Sequence, residues 1–203
     1  MADHNIILKF LGRIAACTVP FILGGCYIAS IHPLAESNQR IFDKELVGVW
    51  AGNHDTLRIS GENIDNLEFE ITEGPSVLND STRSGTLSLL LTNIADQTFM
   101  DVRPAEVQES KSPILEQMLL VPMHGIIRYM IHTDTLSIQY LNYSEFRRLS
   151  ESGKLHGLDV ENVADDGPIL ISSPTPKLRD FLADHKKYEQ LYADPINYVR
   201  IKQ

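Results

Sequence analysis

The stretch Leu67-Glu-Phe-Glu-Ile-Thr72 alternates apolar and polar side chains without interruption. A period of two places the apolar side chains on one face of a β-strand, so this stretch predicts a strand with one buried face. Gly74-Pro75 ends the pattern, and Ser60-Gly61 separates it from the shorter apolar stretch Leu57-Arg-Ile59. Short strands divided by turn residues indicate a β-meander in this part of the chain.

Further strand candidates follow at short intervals along most of the chain. Turn residues separate them at 93–96 and 133–134, and Pro122 interrupts one of them. Roughly seven to nine strands joined by short turns predict a mainly β domain, an antiparallel meander that forms a closed or nearly closed barrel. The further candidates are residues 86–92, 98–102, 118–132, 136–141, 168–172 and 196–201.

Two helices place this fold at the margin of the α+β class. The longer one begins at Thr175, because Pro176 suits the first position of a helix. We expect it to pack on the sheet through its apolar face, which contains Leu178, Phe181 and Leu182. The shorter one is predicted over Glu145–Ser152, with Ser144 as its N-cap and Gly153 as its terminator.

The amino terminus has the layout of a secretory signal. Lys9 and Arg13 precede an uncharged apolar stretch, residues 14–23, which ends in Leu23-Gly24-Gly25-Cys26. These four residues resemble the lipobox of bacterial lipoproteins, in which an aliphatic and two small residues precede a cysteine. The resemblance implies that the thiol of Cys26 receives a diacylglyceryl group, that the leader 1–25 is removed, and that the new amino terminus is acylated.

Two alternatives to a lipoprotein leader remain open. Residues 14–31 contain 18 residues without a charge, just long enough for an uncleaved transmembrane helix, although Pro20, Gly24 and Gly25 disfavour a helix there. The other alternative is a buried helix with a chance cysteine. If the protein is a lipoprotein, or if it keeps an uncleaved transmembrane helix, the domain lies outside the cytoplasm.

The lipoprotein interpretation also predicts the domain organisation and the location. Residues 26–40 show no periodic apolar face and are expected to be a tether, and residues 41–203 form a single β-rich periplasmic domain. Tyr27 follows the cysteine, where the enterobacterial inner-membrane retention pattern has aspartate. The resemblance therefore implies a lipid-anchored protein in the periplasmic leaflet of the outer membrane.

Composition narrows the range of partners. The chain of 203 residues has a net charge of −9; the leader contributes +1, from Lys9, Arg13 and Asp3, which leaves −10 for residues 26–203. An acidic domain repels phosphate backbones, so no nucleic-acid partner is expected. The two cysteines, Cys17 and Cys26, both precede the domain, so no disulfide holds it together.

Gly48-Val49-Trp50 resembles the Gly-x-Trp motif of the lipocalin and wider calycin families. The resemblance implies that Trp50 closes one end of a barrel and that an arginine of the last strand, here Arg200, packs across the indole. The third family element is a Thr-Asp-aromatic turn. Here Thr135 replaces the aromatic residue after Thr133-Asp134, so that element is incomplete.

The chain is also similar to a group of uncharacterised bacterial lipoproteins. These pair an early strand containing Val-Trp with a late helix of the form seen at Ser173-Pro-Thr-Pro-Lys-Leu-Arg-Asp-Phe-Leu182. This resemblance implies no activity, cofactor or catalytic residue.

Motifs for catalysis or metal binding are lacking in the sequence. His124 and His132 would lie about 26 Å apart on a straight strand, too far to share an ion. Glu68 and Glu70 are expected on the solvated face of their strand, and no nucleophile elbow occurs. We therefore predict a non-catalytic envelope lipoprotein, without cofactor or metal, that binds an envelope protein or an apolar small molecule. The alternative is a periplasmic hydrolase or transferase acting on envelope material, with a site gathered from separate strands.

Overall fold

A computed structural model describes residues 27–52, 55–73, 83–104, 123–162, 167–184 and 188–201. The strands found there are β1 (Ile28–Ser30), β2 (Arg40–Ile41), β3 (Gly48–Ala51), β4 (Asp55–Ser60), β5 (Leu67–Glu73), β6 (Arg83–Ile94), β7 (Gln97–Pro104), β8 (Gly125–His132), β9 (Thr135–Tyr140), β10 (Val160–Asn162), β11 (Ile169–Ile171) and β12 (Ile196–Arg200). The helices are α1 (Tyr143–Glu151) and α2 (Thr175–Ala183), with 3-10 turns at Ser37–Gln39 and Glu189–Leu191.

Eight of these strands close into an antiparallel barrel, which confirms the predicted fold class. β3 to β9 pair in chain order, and β12 then pairs with both β9 and β3. Closure leaves no barrel strand with an unpaired edge. The short strand β2 pairs with the last part of β6, where Arg40 lies opposite Thr92.

The two ends of the barrel differ in their connections. At one end, which we call the turn end, β4–β5, β6–β7 and β8–β9 are joined by residues 61–66, 95–96 and 133–134. At the other end, which we call the mouth, β3, β5, β7 and β9 end and β4, β6, β8 and β12 begin. Strands β3, β5, β7 and β9 run toward the mouth, and their partners run away from it.

Inward-facing side chains fill the barrel with one apolar cluster. Strand alternation supplies it, because every second residue of each strand faces inward. Trp50, Leu57 and Leu136 are among those with 0–1% exposure. The buried members are Leu46, Trp50, Leu57, Ile59, Leu67, Phe69, Leu89, Leu91, Met100, Val102, Ile127, Tyr129, Leu136, Ile138 and Tyr198.

A second core lies outside the barrel. The small sheet β1-β11-β10 and the two helices cover outward-facing apolar residues of the barrel, among them Ile94, Phe99 and Ile126. The predicted apolar face of α2 is buried there, with Leu178, Phe181 and Leu182 at 0%, 6% and 3% exposure. The carboxyl-terminal helix therefore packs where the sequence predicts, on the outer face of the sheet.

The prediction of a tether over residues 26–40 is wrong for residues 27–39. Ile28–Ser30 is a buried strand, parallel to Ile169–Ile171. Leu34 and Ala35 have no exposed surface, and a 3-10 turn follows them. The apolar residues of this segment are too few to show a period, but they pair with elements far along the chain.

Three local predictions are corrected in the same way. The sequence predicts that Ile41, Phe42, Leu46 and Val47 face one way on a short helical turn, but Leu46 is buried in the barrel whereas Phe42 is 38% exposed. Helix α1 begins two residues early because Asn142, not Ser144, caps it, its side chain accepting a bond from the N–H of Glu145. The sequence shows no strand pattern over residues 154–167 and predicts irregular structure there, but Val160–Asn162 is a strand.

The leader, the lipobox and Cys26 lie outside the described residues. In the part of the chain that is described, neither helix has the length and apolar character needed to cross a membrane.

Candidate functional site

Trp50 and Arg200 seal the turn end of the barrel. They are register partners on β3 and β12, and the guanidinium carbon of Arg200 lies 4.0 Å from the indole centroid. This is the predicted cation–π contact. Trp50 is fully buried, and its Nε1–H donates to the carbonyl of Leu46 at 2.9 Å.

Arg200 also ties down the segment that crosses this end. Its guanidinium donates to the carbonyl oxygens of Val47, at 3.0 Å, and Glu45. Gly48 makes this approach possible, because a Cβ there would lie 2.7 Å from Nη1 of Arg200. Its φ of +150° also disfavours any other residue. Gly48, Trp50 and Arg200 are therefore one structural unit.

Tyr129 completes the seal from inside the barrel. Its hydroxyl donates to Oδ2 of Asp43 at 3.0 Å. Burial, reinforced by the nearby carboxylate of Asp43, raises the pKa of Tyr129, so the phenol stays a protonated donor. The turn end is thus closed by hydrogen-bonded structure.

A polar cluster faces inward at the mouth. Tyr198, on β12, donates its hydroxyl to Oδ2 of Asp55, on β4, at 3.0 Å. Tyr140, the last residue of β9, joins them: burial and the negative charge of Asp55 raise its pKa to about 12. Burial also raises the pKa of Tyr198. One carboxylate and two protonated phenols therefore converge inside the barrel wall. We call these three residues the mouth cluster.

Glycines shape the mouth around this cluster. A Cβ on Gly52 would lie 2.5 Å from Oδ1 of Asp55 and 2.6 Å from the ring of Tyr198, so only glycine admits the cluster there. On the far wall, Gly125 occupies an inward position two residues before Ile127. The mouth layer therefore combines polar groups on one side with Gly125, an inward position without a side chain, on the other.

A buried aspartate–histidine pair lies on the outer face of the barrel. Oδ1 of Asp101 is 2.7 Å from Nδ1 of His124, and Oδ2 accepts a bond from the N–H of Leu34 at 2.8 Å. Both side chains are buried. The neighbouring hydroxyl of Ser30 donates to the carbonyl of His32. The pair therefore holds the amino-terminal segment on the barrel, and His124 is a core histidine rather than a metal ligand.

Arg128 forms a second structural clamp. Its guanidinium makes paired bonds of 2.6 and 2.9 Å with Glu189 and further bonds with Gln139. It also lies 3.8 Å from the ring centroid of Tyr192. These contacts bind the segment before β12 to β8 and β9. All three guanidinium nitrogens of Arg128 are therefore engaged in these structural hydrogen bonds.

A shallow cleft open to solvent, with about 550 Å³ of empty space, lies beside α2. Charges of both signs mix along it, and Lys177 is paired with Asp159 at 3.3 Å. Phe181 forms part of its floor. Its lining includes His156, Lys177, Asp180, Phe181, Asp184 and Tyr188. Among these lining residues we find no nucleophile paired with a general base. The mouth is therefore the better candidate site.

No group of three or more metal-ligating side chains occurs within the described ranges. Comparison of the chain with protein-family models, with curated proteins and with solved structures found no match. The geometry of the site therefore has to carry the functional argument.

Sequence reasoning missed the mouth cluster, although part of its signal was present. Tyr140 continues the inward alternation of Leu136 and Ile138, and Asp55 has the same parity as Leu57. A charged residue at an inward position of a barrel strand indicates a candidate site. What the pattern could not show is that β12 brings Tyr198 against Asp55.

Proposed function

We propose that this chain is a non-catalytic envelope lipoprotein that binds a largely apolar ligand in the mouth of its barrel. Acyl groups on Cys26 would anchor it in the periplasmic leaflet of the outer membrane. The lipobox Leu23-Gly24-Gly25-Cys26 supports the anchor. The contact between Trp50 and Arg200 supports lipocalin-like kinship, since it joins the two motif residues by which that resemblance was noticed.

The observation that carries the ligand proposal is the asymmetry of the barrel interior. Large apolar side chains with 0–4% exposure fill the half near Trp50. The mouth layer instead holds Gly125 and half-buried Leu87 and Tyr140. A site with apolar walls and a few convergent polar groups is the usual form of a small-molecule site.

The alternative of a hydrolase or transferase gains no support from the buried histidine. Asp101 and His124 face away from the barrel interior, beneath the amino-terminal segment. The nearest hydroxyl, that of Ser30, is engaged with a backbone carbonyl. A nucleophile and a substrate would both have to displace core structure there.

A protein partner is the second candidate, because one outer face of the barrel exposes apolar side chains. Met130 on β8, Val199 on β12 and the following Ile201 are 65%, 57% and 44% exposed. Exposed apolar patches mark interaction surfaces. A photo-crosslinking residue in place of Val199 tests this candidate, with the same residue in place of Glu68 on another outer face as the control.

Lipidation is tested at Cys26. In Cys26→Ala we expect acyl labelling to be lost and the unprocessed precursor to accumulate, because the lipid is transferred to that thiol alone. Labelling is measured with a radioactive or clickable fatty acid, and Cys17→Ala is the matched control that should label normally. Retained acylation in Cys26→Ala would contradict a lipoprotein.

Ligand binding is tested by filling the mouth. Gly125→Leu adds a side chain to the inward position, and we expect it to weaken binding of the neutral probe N-phenyl-1-naphthylamine by about tenfold or more. Trp50 is the single tryptophan, so energy transfer from it reports that the probe is bound to the protein, and the variants distinguish the mouth from the outer face. Met130→Leu, on the outer face of the same strand, should bind like the wild type.

Equal binding by Gly125→Leu and the wild type would exclude the mouth as the site. Circular dichroism of both variants shows whether the barrel is intact. If Gly125→Leu fails to fold, Leu87→Phe offers a second way to narrow the same opening and leaves Trp50 as the single tryptophan.

A further inference from the structure

The amino-terminal segment joins the fold immediately after Cys26. The carbonyl of Tyr27 accepts a bond from the N–H of Ile169 at 2.9 Å, and Ile28–Ser30 is a buried strand beside β11. Four residues further on, the N–H of Leu34 is bound to the buried carboxylate of Asp101. The segment therefore has no free length in which a linker could move.

This segment enters the fold at the mouth end. Tyr27 donates its hydroxyl to the sulfur of Met123 at 3.6 Å, and Ser30 and His124 exchange backbone bonds of 2.9 and 2.8 Å. Both partners directly precede Gly125, where β8 begins at the mouth. The chain then runs along the barrel to β2, whose partner is the turn-end half of β6.

One residue spans at most about 3.6 Å, so a lipid on Cys26 must emerge within a few ångström of Tyr27. The turn end lies farther away by about 20 Å, the length of a strand such as β9. We infer that the anchor holds the mouth of the barrel against the membrane and that the mouth ligand is an amphiphile drawn from the bilayer. This inference rests on the proposed lipidation.

The mouth cluster narrows the class of amphiphile. Asp55 is an acceptor: one oxygen takes the hydroxyl of Tyr198, and no hydrogen bond to the other is found among the described residues. The carboxylate and the net charge of −10 on residues 26–203 disfavour an anionic head group. A head group that donates hydrogen bonds, such as a primary ammonium, fits this acceptor, and apolar Leu87 and Ile196 suit its chain.

Orientation is measured on the processed, full-length protein in phosphatidylcholine vesicles that contain a lipid with a nitroxide head group. A fluorophore is placed in Asp194→Cys, beside the mouth, or in Glu62→Cys, at the turn end; both wild-type residues are exposed. Residues 27–203 contain no other cysteine. We expect at least about threefold stronger quenching at position 194, because the nitroxide acts only over short distances.

The control is a variant with a flexible linker of ten Gly and Ser residues inserted between Cys26 and Tyr27. In this variant the fluorophores at positions 194 and 62 should be quenched alike, because the linker lets the barrel turn relative to the membrane. Equal or reversed quenching in the protein without the insertion overturns the orientation. The mass of the amino-terminal peptide is measured on the same sample. A peptide without acyl groups refutes the proposed lipidation instead, so the two failures are distinguishable.

The lipid class is tested with photoactivatable lipids that carry a diazirine in the acyl chain. Phosphatidylethanolamine should form adducts on the mouth residues Leu87 and Ile196 about threefold more than phosphatidylglycerol, and Asp55→Asn should reduce this preference. Adducts confined to outer-face peptides, or an equal yield from the anionic lipid, overturn the assignment. Circular dichroism shows whether Asp55→Asn is folded.

Discussion

Arg200 shows how one side chain completes a barrel whose strands lie far apart in sequence. It stacks on Trp50 of the first barrel strand and donates to two carbonyls of the segment before that strand. Planarity allows both tasks at once, since the face of the guanidinium covers the indole while its edge carries the donors. Arg200 therefore links the last barrel strand to the first and to residues 45–47, which cross the turn end.

Lysine should replace Arg200 poorly. In Arg200→Lys we expect the free energy of unfolding to fall by about 1 to 2 kcal/mol, because the stacked surface and one carbonyl bond are lost. Arg58→Lys is the matched control: Arg58 is 55% exposed, 3.6 Å from Glu70, and should change stability by less than about 0.5 kcal/mol. Urea unfolding measures both, and equal losses would contradict a special role for Arg200.

Because the pKa of Tyr140 is raised, we expect the stability of the fold to decrease at alkaline pH. Its pKa is raised to about 12 in the folded state, above the ordinary value of about 10 that it regains on unfolding. The protonated phenol therefore stabilises the fold fully below pH 10, and this contribution is lost as the pH rises from 10 toward 12. Tyr129, Tyr192 and Tyr198, whose pKa values are also raised, act in the same direction.

Tyr140→Phe should remove part of this loss of stability at alkaline pH. Since the variant has no phenol to ionise at that position, its unfolding free energy should decline less steeply between pH 10 and 12 than that of the wild type. Urea unfolding at pH 7, 10, 11 and 12 measures the slope, and the value at pH 7 gives the separate effect of removing the hydroxyl. Parallel curves for the two proteins would contradict the assignment.

Helix α2 is held to the barrel by an apolar face and by one arginine. Phe181 packs against Tyr188, with ring centroids 4.4 Å apart. Arg179 reaches past the helix to the carbonyls of Leu34 and Asn93, at 2.9 and 2.8 Å. The helix thus fastens both the end of β6 and the amino-terminal segment, and its packing stabilises more than its own residues.

Phe181→Ala should lower the free energy of unfolding by about 3 kcal/mol, the low end of the range for a buried phenylalanine, because the open cleft borders its ring. Phe42→Ala is the matched control, as Phe42 is 38% exposed, and should cost less than about 1 kcal/mol. Thermal or urea unfolding compares the two. Similar losses would show that the packing of Phe181 contributes little.

At the scale of the whole molecule, the barrel and the outer layer share one wall of strands. Leu91 and Met100 point into the barrel, whereas Ile94 and Phe99 point into the outer core. The amino-terminal segment lies across this wall, bound to Asp101 and His124. Residues 27–34 are therefore held against the barrel rather than extending away from it.

The sequence by itself determined those features that depend on local periodicity or on a motif. Alternation in Leu67–Thr72 located a half-buried strand, and Pro176 located the start of the last helix. The resemblance carried by Gly48 and Trp50 led to Arg200 as the stacking partner. The proposed leader and lipid attachment at Cys26 rest on the sequence alone, since these residues lie outside the described ones.

The tertiary structure alone decided which distant residues meet. Ile28 pairs with Ile169, Asp55 binds Tyr198, and Arg128 binds Glu189, and no local pattern encodes any of these contacts. Such pairings depend on how barrel closure orders the strands and on which surface a short segment can bury. For that reason residues 27–39, aperiodic as a sequence, proved to be part of the folded domain.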